Sequence, residues 1–133
     1  MRIYLIDNEL IVLKTLQRFL NDLGHDVVTY NSISEFLNHK IHMNGNNNVI
    51  IVDLKMPKQD GIRMIQQIHC QYPNTDVIVM SSVLPFQEAI LHGVFSYLQK
   101  PIYFDELELI LARVAERQNN TQKIFHNHMD GKA

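Results

Sequence analysis

Val49-Ile50-Ile51-Val52-Asp53-Leu54-Lys55-Met56-Pro57-Lys58-Gln59-Asp60-Gly61 is the stretch that decides the fold. Four consecutive β-branched apolar residues predict a strand buried on both faces. The run ends in a lone carboxylate, Asp53, followed by Pro57 and the Asp60-Gly61 turn pair. In an open parallel sheet, ligands bind outside the carboxyl ends of the strands, so Asp53 stands where chemistry is expected rather than packing.

Working outward, other stretches repeat the pattern of an apolar run ending in polar residues. Residues 2–6 form a short apolar strand that runs into Asp7-Asn8-Glu9, a second acidic strand end. Residues 10–23 carry a helical stripe at Val12, Leu16, Phe19, Leu20 and Leu23, with Gly24 as its stop. Residues 26–30 read as strand two. Ser32-Ile33-Ser34-Glu35 is a capping box opening a helix of about two turns through His39. The Asn-rich residues 43–48 read as a surface connector. After strand three, Asp60 is expected to cap a helix over 61–71 that buries Ile62, Ile65 and Ile68. Residues 76–80 are strand four and deliver Ser81 and Ser82 to the same edge. A short fourth helix is expected over 85–92, then strand five over 94–98 and a last helix over 104–118. Residues 119–133 lack an apolar period and read as a frayed helix, a disordered tail or the start of a linker.

Five strands alternating with helices imply an α/β fold, a doubly wound parallel sheet with right-handed crossovers. The flavodoxin-like strand order 2-1-3-4-5 is the simplest solution at this length. It brings Asp7, Asn8, Asp53, Ser81 and Lys100 to one rim. Carboxylates from two adjacent strand ends suit a hard divalent ion such as Mg²⁺. A carboxylate beside such an ion, with an amine and a hydroxyl near, is placed to attack a phosphoryl group and hold the product charge. No residue reads as a general base. The site therefore reads as a phosphoacceptor rather than an enzyme active site, with at most self-catalysed phosphotransfer and dephosphorylation.

Composition narrows the remaining classes. At 133 residues and 46% hydrophobic content, one compact domain is expected, with a core that needs no disulfide or structural metal. A net charge of −2, from 12 basic and 14 acidic residues, comes without a basic cluster, so these residues are not expected to bind nucleic acid or a membrane. Cys70 is the only cysteine and reads as a small packed residue. No N-terminal apolar segment suits export or membrane spanning, and a cytoplasmic protein is expected. Glycine-rich dinucleotide and phosphate-loop motifs are absent. The histidines read as incidental, and Arg113, Glu116 and Arg117 as a solvated helix face.

Leu5-Ile6-Asp7-Asn8-Glu9, the stretch from Asp53 to Gly61, Met80-Ser81-Ser82 and the stretch from Gly93 to Pro101 together resemble the CheY-like receiver domain of bacterial two-component response regulators. The resemblance covers residues 1–118. It implies that Asp53 accepts phosphate from a sensor histidine kinase or a small phosphodonor. Asp7, Asp53 and the backbone carbonyl of Lys55 would hold Mg²⁺, Ser81 and Lys100 would bind phosphoryl oxygens, and Tyr97 would be the aromatic that turns inward with Ser81. The resemblance is strongest to receivers attached to transcriptional activators of the nitrogen-regulator type. The chain is either a stand-alone receiver or one cut from a longer regulator that controls an effector domain.

Three departures from the family pattern carry expectations of their own. Asn8 stands where a second acid normally ligates the metal, which predicts weaker Mg²⁺ binding. Glu9 beside it has two readings, a reach to the ion or favourable charge at a helix N-terminus. Ser82 replaces a smaller residue and either narrows water access or points outward. Lys100 follows Ser81 by 19 positions, about three fewer than is usual, close to one helical turn. The shortened fourth helix would leave Leu84, Phe86, Ile90, Leu91 and Phe95 as an apolar output or homodimer face, while Ile90 and Phe95 read equally well as core. The alternative function is a receiver-fold interaction module in which Asn8 makes phosphorylation weak or irrelevant.

Overall fold

The structure, a computed structural model, describes residues 1–43, 47–55, 58–82 and 93–130. In chain order these form β1 (Arg2–Ile6), α1 (Leu10–Asp22), β2 (Asp26–Tyr30), α2 (Ile33–Asn38), β3 (Asn48–Asp53), α3 (Lys58–Gln71), β4 (Asp76–Ser81), β5 (Ser96–Gln99) and α4 (Phe104–Asp130). All the strands are parallel, in the order β2-β1-β3-β4-β5. The helix expected over 85–92, with Leu84, Phe86, Ile90 and Leu91, lies outside the described residues.

Every residue of β3 and of β4 is buried, as a strand covered by helices on both faces requires. Alternation along the strands splits the core in two. Tyr4, Ile6, Ile50, Val52, Val77 and Val79 pack with residues of α2 and α3. Ile3, Leu5, Val49, Ile51, Ile78 and Met80 pack with residues of α1 and α4. Complete burial of Phe36 or Ile51 is worth roughly 1.5–3 kcal/mol each.

Local signals place most element ends. Gly24 has φ +94°, the left-handed conformation that glycine adopts without strain, and the chain turns there from α1 into β2. The Ser32 hydroxyl accepts the Glu35 amide hydrogen at 3.1 Å, the capping bond that starts α2. Other expectations need correction. α3 begins at Lys58 rather than Gly61, so Asp60 lies in its first turn instead of capping it, where its charge still suits the positive helix end. The buried residues of α1 are Leu13, Leu16 and Leu20, while Leu23 is exposed. β5 begins at Ser96 rather than Val94, Asn48 belongs to β3, and Cys70 is exposed on α3.

α4 continues past Gln118, where the apolar stripe of the sequence stops, and the contacts at that point are polar. Arg117 Nη2 lies 2.7 Å from Asp76 Oδ1, and the guanidinium sits 5.3 Å from the centre of the half-buried Phe95 ring. Gln118 Nε2 donates to Asp76 Oδ2 and to the Asn48 carbonyl, both at 3.1 Å. Arg117 lies on the solvated face expected for Arg113, Glu116 and Arg117, and in addition clamps the amino-terminal edge of the sheet. Arg117→Ala would leave a buried carboxylate with one partner fewer. It should lower stability by about 1–2 kcal/mol, read as a lower urea midpoint with an unchanged slope.

Candidate functional site

The rim residues are placed by the sheet's own hydrogen bonding. The amide hydrogens of Asp7, Leu54 and Lys100 go to the carbonyls of Tyr30, Met80 and Ser81 at 3.1, 2.9 and 3.1 Å, extending the ladders by one step past each strand. Because side chains alternate, Asp7 follows Ile3 and Leu5, Asp53 follows Ile51, and Lys100 follows Leu98 onto one face.

There Lys100 Nζ donates to Asp7 Oδ2 at 2.8 Å and lies 3.2 Å from Asp53 Oδ2. The Asp53 side chain is 1% exposed. Its Oδ1 is buried and has no hydrogen-bond partner among the described residues. Burial, and then the charge of Asp7, raise the Asp53 carboxyl to about 6 against the opposing pull of Lys100.

Glu9 completes the acidic group. Its amide hydrogen goes to Asp7 Oδ1 at 2.8 Å, which sets the turn into α1. Its carboxylate makes no capping bond to α1 and instead pairs with Lys55 Nζ, 3.8 Å from Lys100 Nζ. Oxygens of Asp7, Glu9 and Asp53 all lie within 4.8 Å of one another. Asn8 is exposed and lines, with Asp7, Asp53 and Lys55, a cavity of about 270 Å³.

The hydroxyl-bearing residues lie on the β4–β5 side. Ser81 is fully buried, and its Oγ donates to the Leu54 carbonyl at 2.8 Å. Tyr97 is half-buried, its hydroxyl donates to the Ser81 carbonyl at 3.0 Å, and burial raises its pKa. Ser82 is exposed at the end of β4. Asp7, Asp53 and Lys100 are therefore assembled in direct contact, while Ser81 and Tyr97 form a linked pair one strand away.

Some of this surface was not singled out from the sequence. Ile11 is 81% exposed, Leu10 and Tyr103 are exposed, and a largely apolar groove of about 440 Å³ is lined by Val12, Leu16, Ile102 and Phe104. The available signal was the pair Leu10-Ile11, which precedes the buried stripe of α1. Among the described residues no helix is long and apolar enough to cross a membrane.

The sequence model of the response regulator receiver domain matches residues 3–112. The regulatory protein AtoC of Escherichia coli is 34% identical over 83 residues, covering 60% of this chain and 18% of AtoC. The DNA-binding transcriptional regulator NtrC of Klebsiella pneumoniae is 26% identical over 123 residues, covering 90% of this chain and 26% of NtrC. The chain thus spans about a fifth to a quarter of the length of these curated relatives. Among solved structures, the signal receiver domain of an HD domain-containing protein from Pseudomonas fluorescens superposes with TM-score 0.74 at 27% identity, covering 90% of this chain and 97% of that one.

A carboxyl whose pKa is higher in the fold than in the unfolded chain stabilises fully only below the unfolded value, and that contribution fades as pH rises through about 6. Removing the charge should therefore help at neutral pH. In Mg²⁺-free buffer Asp53→Asn is expected to be more stable than the wild type by about 1–3 kcal/mol at pH 7.5, with the gap shrinking toward pH 4. Urea titrations at the two pH values check this, and a gap independent of pH would contradict it.

Proposed function

Because the chain belongs to the response regulator receiver domain family, we propose that it is a phosphoacceptor switch that takes a phosphoryl group onto Asp53 from a sensor histidine kinase. One observation carries the proposal. Asp53 is a buried carboxylate with one oxygen unpartnered among the described residues and the other 3.2 Å from an ammonium that also binds Asp7. A carboxylate oxygen of Asp53 can attack phosphorus as the P–N bond of a ring-protonated phosphohistidine breaks, leaving an acyl phosphate on Asp53 and neutral imidazole, which keeps that ring proton, on the donor. Lys100 stays beside the new phosphoryl oxygens. Ser81 can join them when its hydroxyl leaves the Leu54 carbonyl, and the Tyr97 hydroxyl, held on the Ser81 carbonyl, follows that movement toward β5. Ser82, exposed at the rim, would set how easily water reaches the acyl phosphate.

The donor set suits Mg²⁺, since three carboxylates converge and one buried oxygen lacks a proton donor among the described residues. Asp7, Asp53 and the carbonyl of Lys55 would hold the ion, with a weak contribution from Asn8. When bound it supplies positive charge that offsets the phosphoryl oxygens during transfer. An amide at position 8 withholds a charge worth up to ~8 kcal/mol at about 4 Å from a dication at an effective dielectric of about 20, most of it recovered from water and neighbouring groups.

A protein donor must bring its phosphohistidine to this rim, and the apolar groove lined by Val12, Leu16, Ile102 and Phe104 offers it a docking surface. Output then leaves through β5, α4 and the segment between β4 and β5 to an effector domain or a partner. The kinship with AtoC and NtrC favours an effector domain that acts in transcription.

Incubation with acetyl phosphate and Mg²⁺ followed by intact mass should show one phosphoryl adduct, absent from Asp53→Asn. An unmodified wild-type protein would instead favour a receiver-fold interaction module, for which the amide at Asn8 already speaks. Asn8→Asp should bind Mg²⁺ about tenfold to a hundredfold more tightly, ~1.4–3 kcal/mol, by calorimetric titration. Equal affinities would remove any role for Asn8.

A further inference from the structure

The acidic pocket holds an internal cation that the phosphoacceptor mechanism does not use. Lys55 Nζ is ion-paired with Glu9 and stands 4.0 Å from Asp53 Oδ2, at the wall of the cavity that Asp53 and Asp7 also line. Glu9 lies one position beyond Asn8 and turns its carboxylate inward over the same oxygens. Counting charges, the group consists of three carboxylates, from Asp7, Glu9 and Asp53, and two ammoniums, from Lys55 and Lys100.

The two lysines are not equivalent. The Lys100 side chain is 13% exposed and is bonded to the buried Asp7, whereas Lys55 is 37% exposed and its partner Glu9 is 48% exposed. Withdrawing Lys100 would uncover buried charge at large cost, whereas withdrawing Lys55 would break a half-exposed ion pair with Glu9 and a longer, 4.0 Å contact with Asp53 that keeps Lys100 as its nearer partner. A dication entering with both lysines in place would leave the group at one net positive charge. With Lys55 swung out to water, the dication and Lys100 balance the three carboxylates. Charge neutrality and exposure both select Lys55 as the group that leaves. Within the group, Asp53 Oδ1 is buried and has no partner among the described residues, and Asp53 lines the cavity, as a place that accepts a cation would require.

We propose that Lys55 is a built-in competitor for the divalent-cation site, so that metal loading is an exchange in which Lys55 releases Glu9. Glu9 then supplies the carboxylate charge that Asn8 lacks. The inference rests on reading the rim as a Mg²⁺ site. It deepens that reading by assigning the compensating ligand to Glu9 and a gating role to the Lys55 side chain, whose backbone carbonyl remains available to the ion. Metal affinity in this chain is then set by two opposed residues at the mouth of the pocket rather than by the Asn8 amide alone.

Direct Mg²⁺ binding to the whole chain, by isothermal titration calorimetry without any phosphodonor, separates the possibilities. Lys55→Met keeps the carbonyl and most of the side-chain bulk, and should tighten Mg²⁺ binding about threefold to tenfold. Glu9→Gln should weaken it about tenfold. In the Glu9→Gln, Lys55→Met double variant most of the gain from removing the lysine should vanish, because the competition runs through Glu9. As a second readout, saturating Mg²⁺ should raise the melting temperature of Lys55→Met more than that of the wild type. Wild-type binding with unchanged affinity in Lys55→Met would overturn the exchange and leave the cation site standing. Unchanged affinity in Glu9→Gln would overturn the assignment of the ligand. Absence of Mg²⁺ binding in the wild type, Lys55→Met and Asn8→Asp alike would overturn the cation site itself, and the exchange with it.

Discussion

Three carboxylates with oxygens within 4.8 Å of one another cannot share the edge of a buried sheet unless cations stand among them. At an effective dielectric of about 20, each such pair repels by roughly 3.5 kcal/mol, a sizeable part of the whole stability of a domain. Lys100 answers most of this, because it touches Asp7 and Asp53 at once from a nearly buried position. Asp7 and Asp53 are not free to move apart, since Asp7 is bonded through its amide to the Tyr30 carbonyl and Asp53 lies within β3, followed by the Leu54 amide on the Met80 carbonyl. Burial first, and then the charge of Asp7, hold the Asp53 carboxyl up at about 6 although an ammonium lies beside it. A site with repulsion left over has an affinity for added positive charge, and a nucleophile whose anion is only partly compensated is the more reactive for it.

The same strands that gather the charges also carry their consequences away. Ser81 closes β4 and is tied to both sides, through its hydroxyl to the Leu54 carbonyl behind Asp53 and through its carbonyl to the Tyr97 hydroxyl on β5. One serine therefore joins the backbone that follows Asp53 to the aromatic residue of β5. Under the proposed phosphoacceptor reading, such a switch would need only an exchange of hydrogen-bond partners, because a buried hydroxyl must have an acceptor in either state.

How far the sequence disclosed this structure depended on whether the deciding force was local. β3 and β4 were legible because burial on both faces demands uninterrupted apolar runs, and the strand order followed from alternation with helices at short spacing. Asp7, Asp53 and Lys100 were legible as a group because strand ends in a parallel sheet share one edge. The start of α3 and the start of β5 were misplaced by two or three residues, since Asp60 suits the first turn of a helix as well as its cap and Val94 is apolar without being in the sheet. Contacts between distant side chains were illegible. Nothing in Arg117 itself announces that it will cross to Asp76 and Phe95, and Glu9 at the start of α1 looks like ordinary helix-end charge until Lys55 is seen opposite it.

The clamp at the far edge of the sheet gives the rim a mechanical counterpart. β4 carries Ser81 at one end and Asp76 at the other, is buried along its whole length, and cannot tilt without disturbing both. Asp76 holds Arg117 and Gln118, so α4 is tied to the amino-terminal edge partway along a helix that spans 27 residues, about 40 Å at 1.5 Å per residue. Phe95, beneath the Arg117 guanidinium, donates its amide hydrogen to the Val77 carbonyl at 2.7 Å, which links the clamp to the approach to β5 as well as to β4. A change of partner at Ser81 therefore acts on one end of a strand whose other end holds α4.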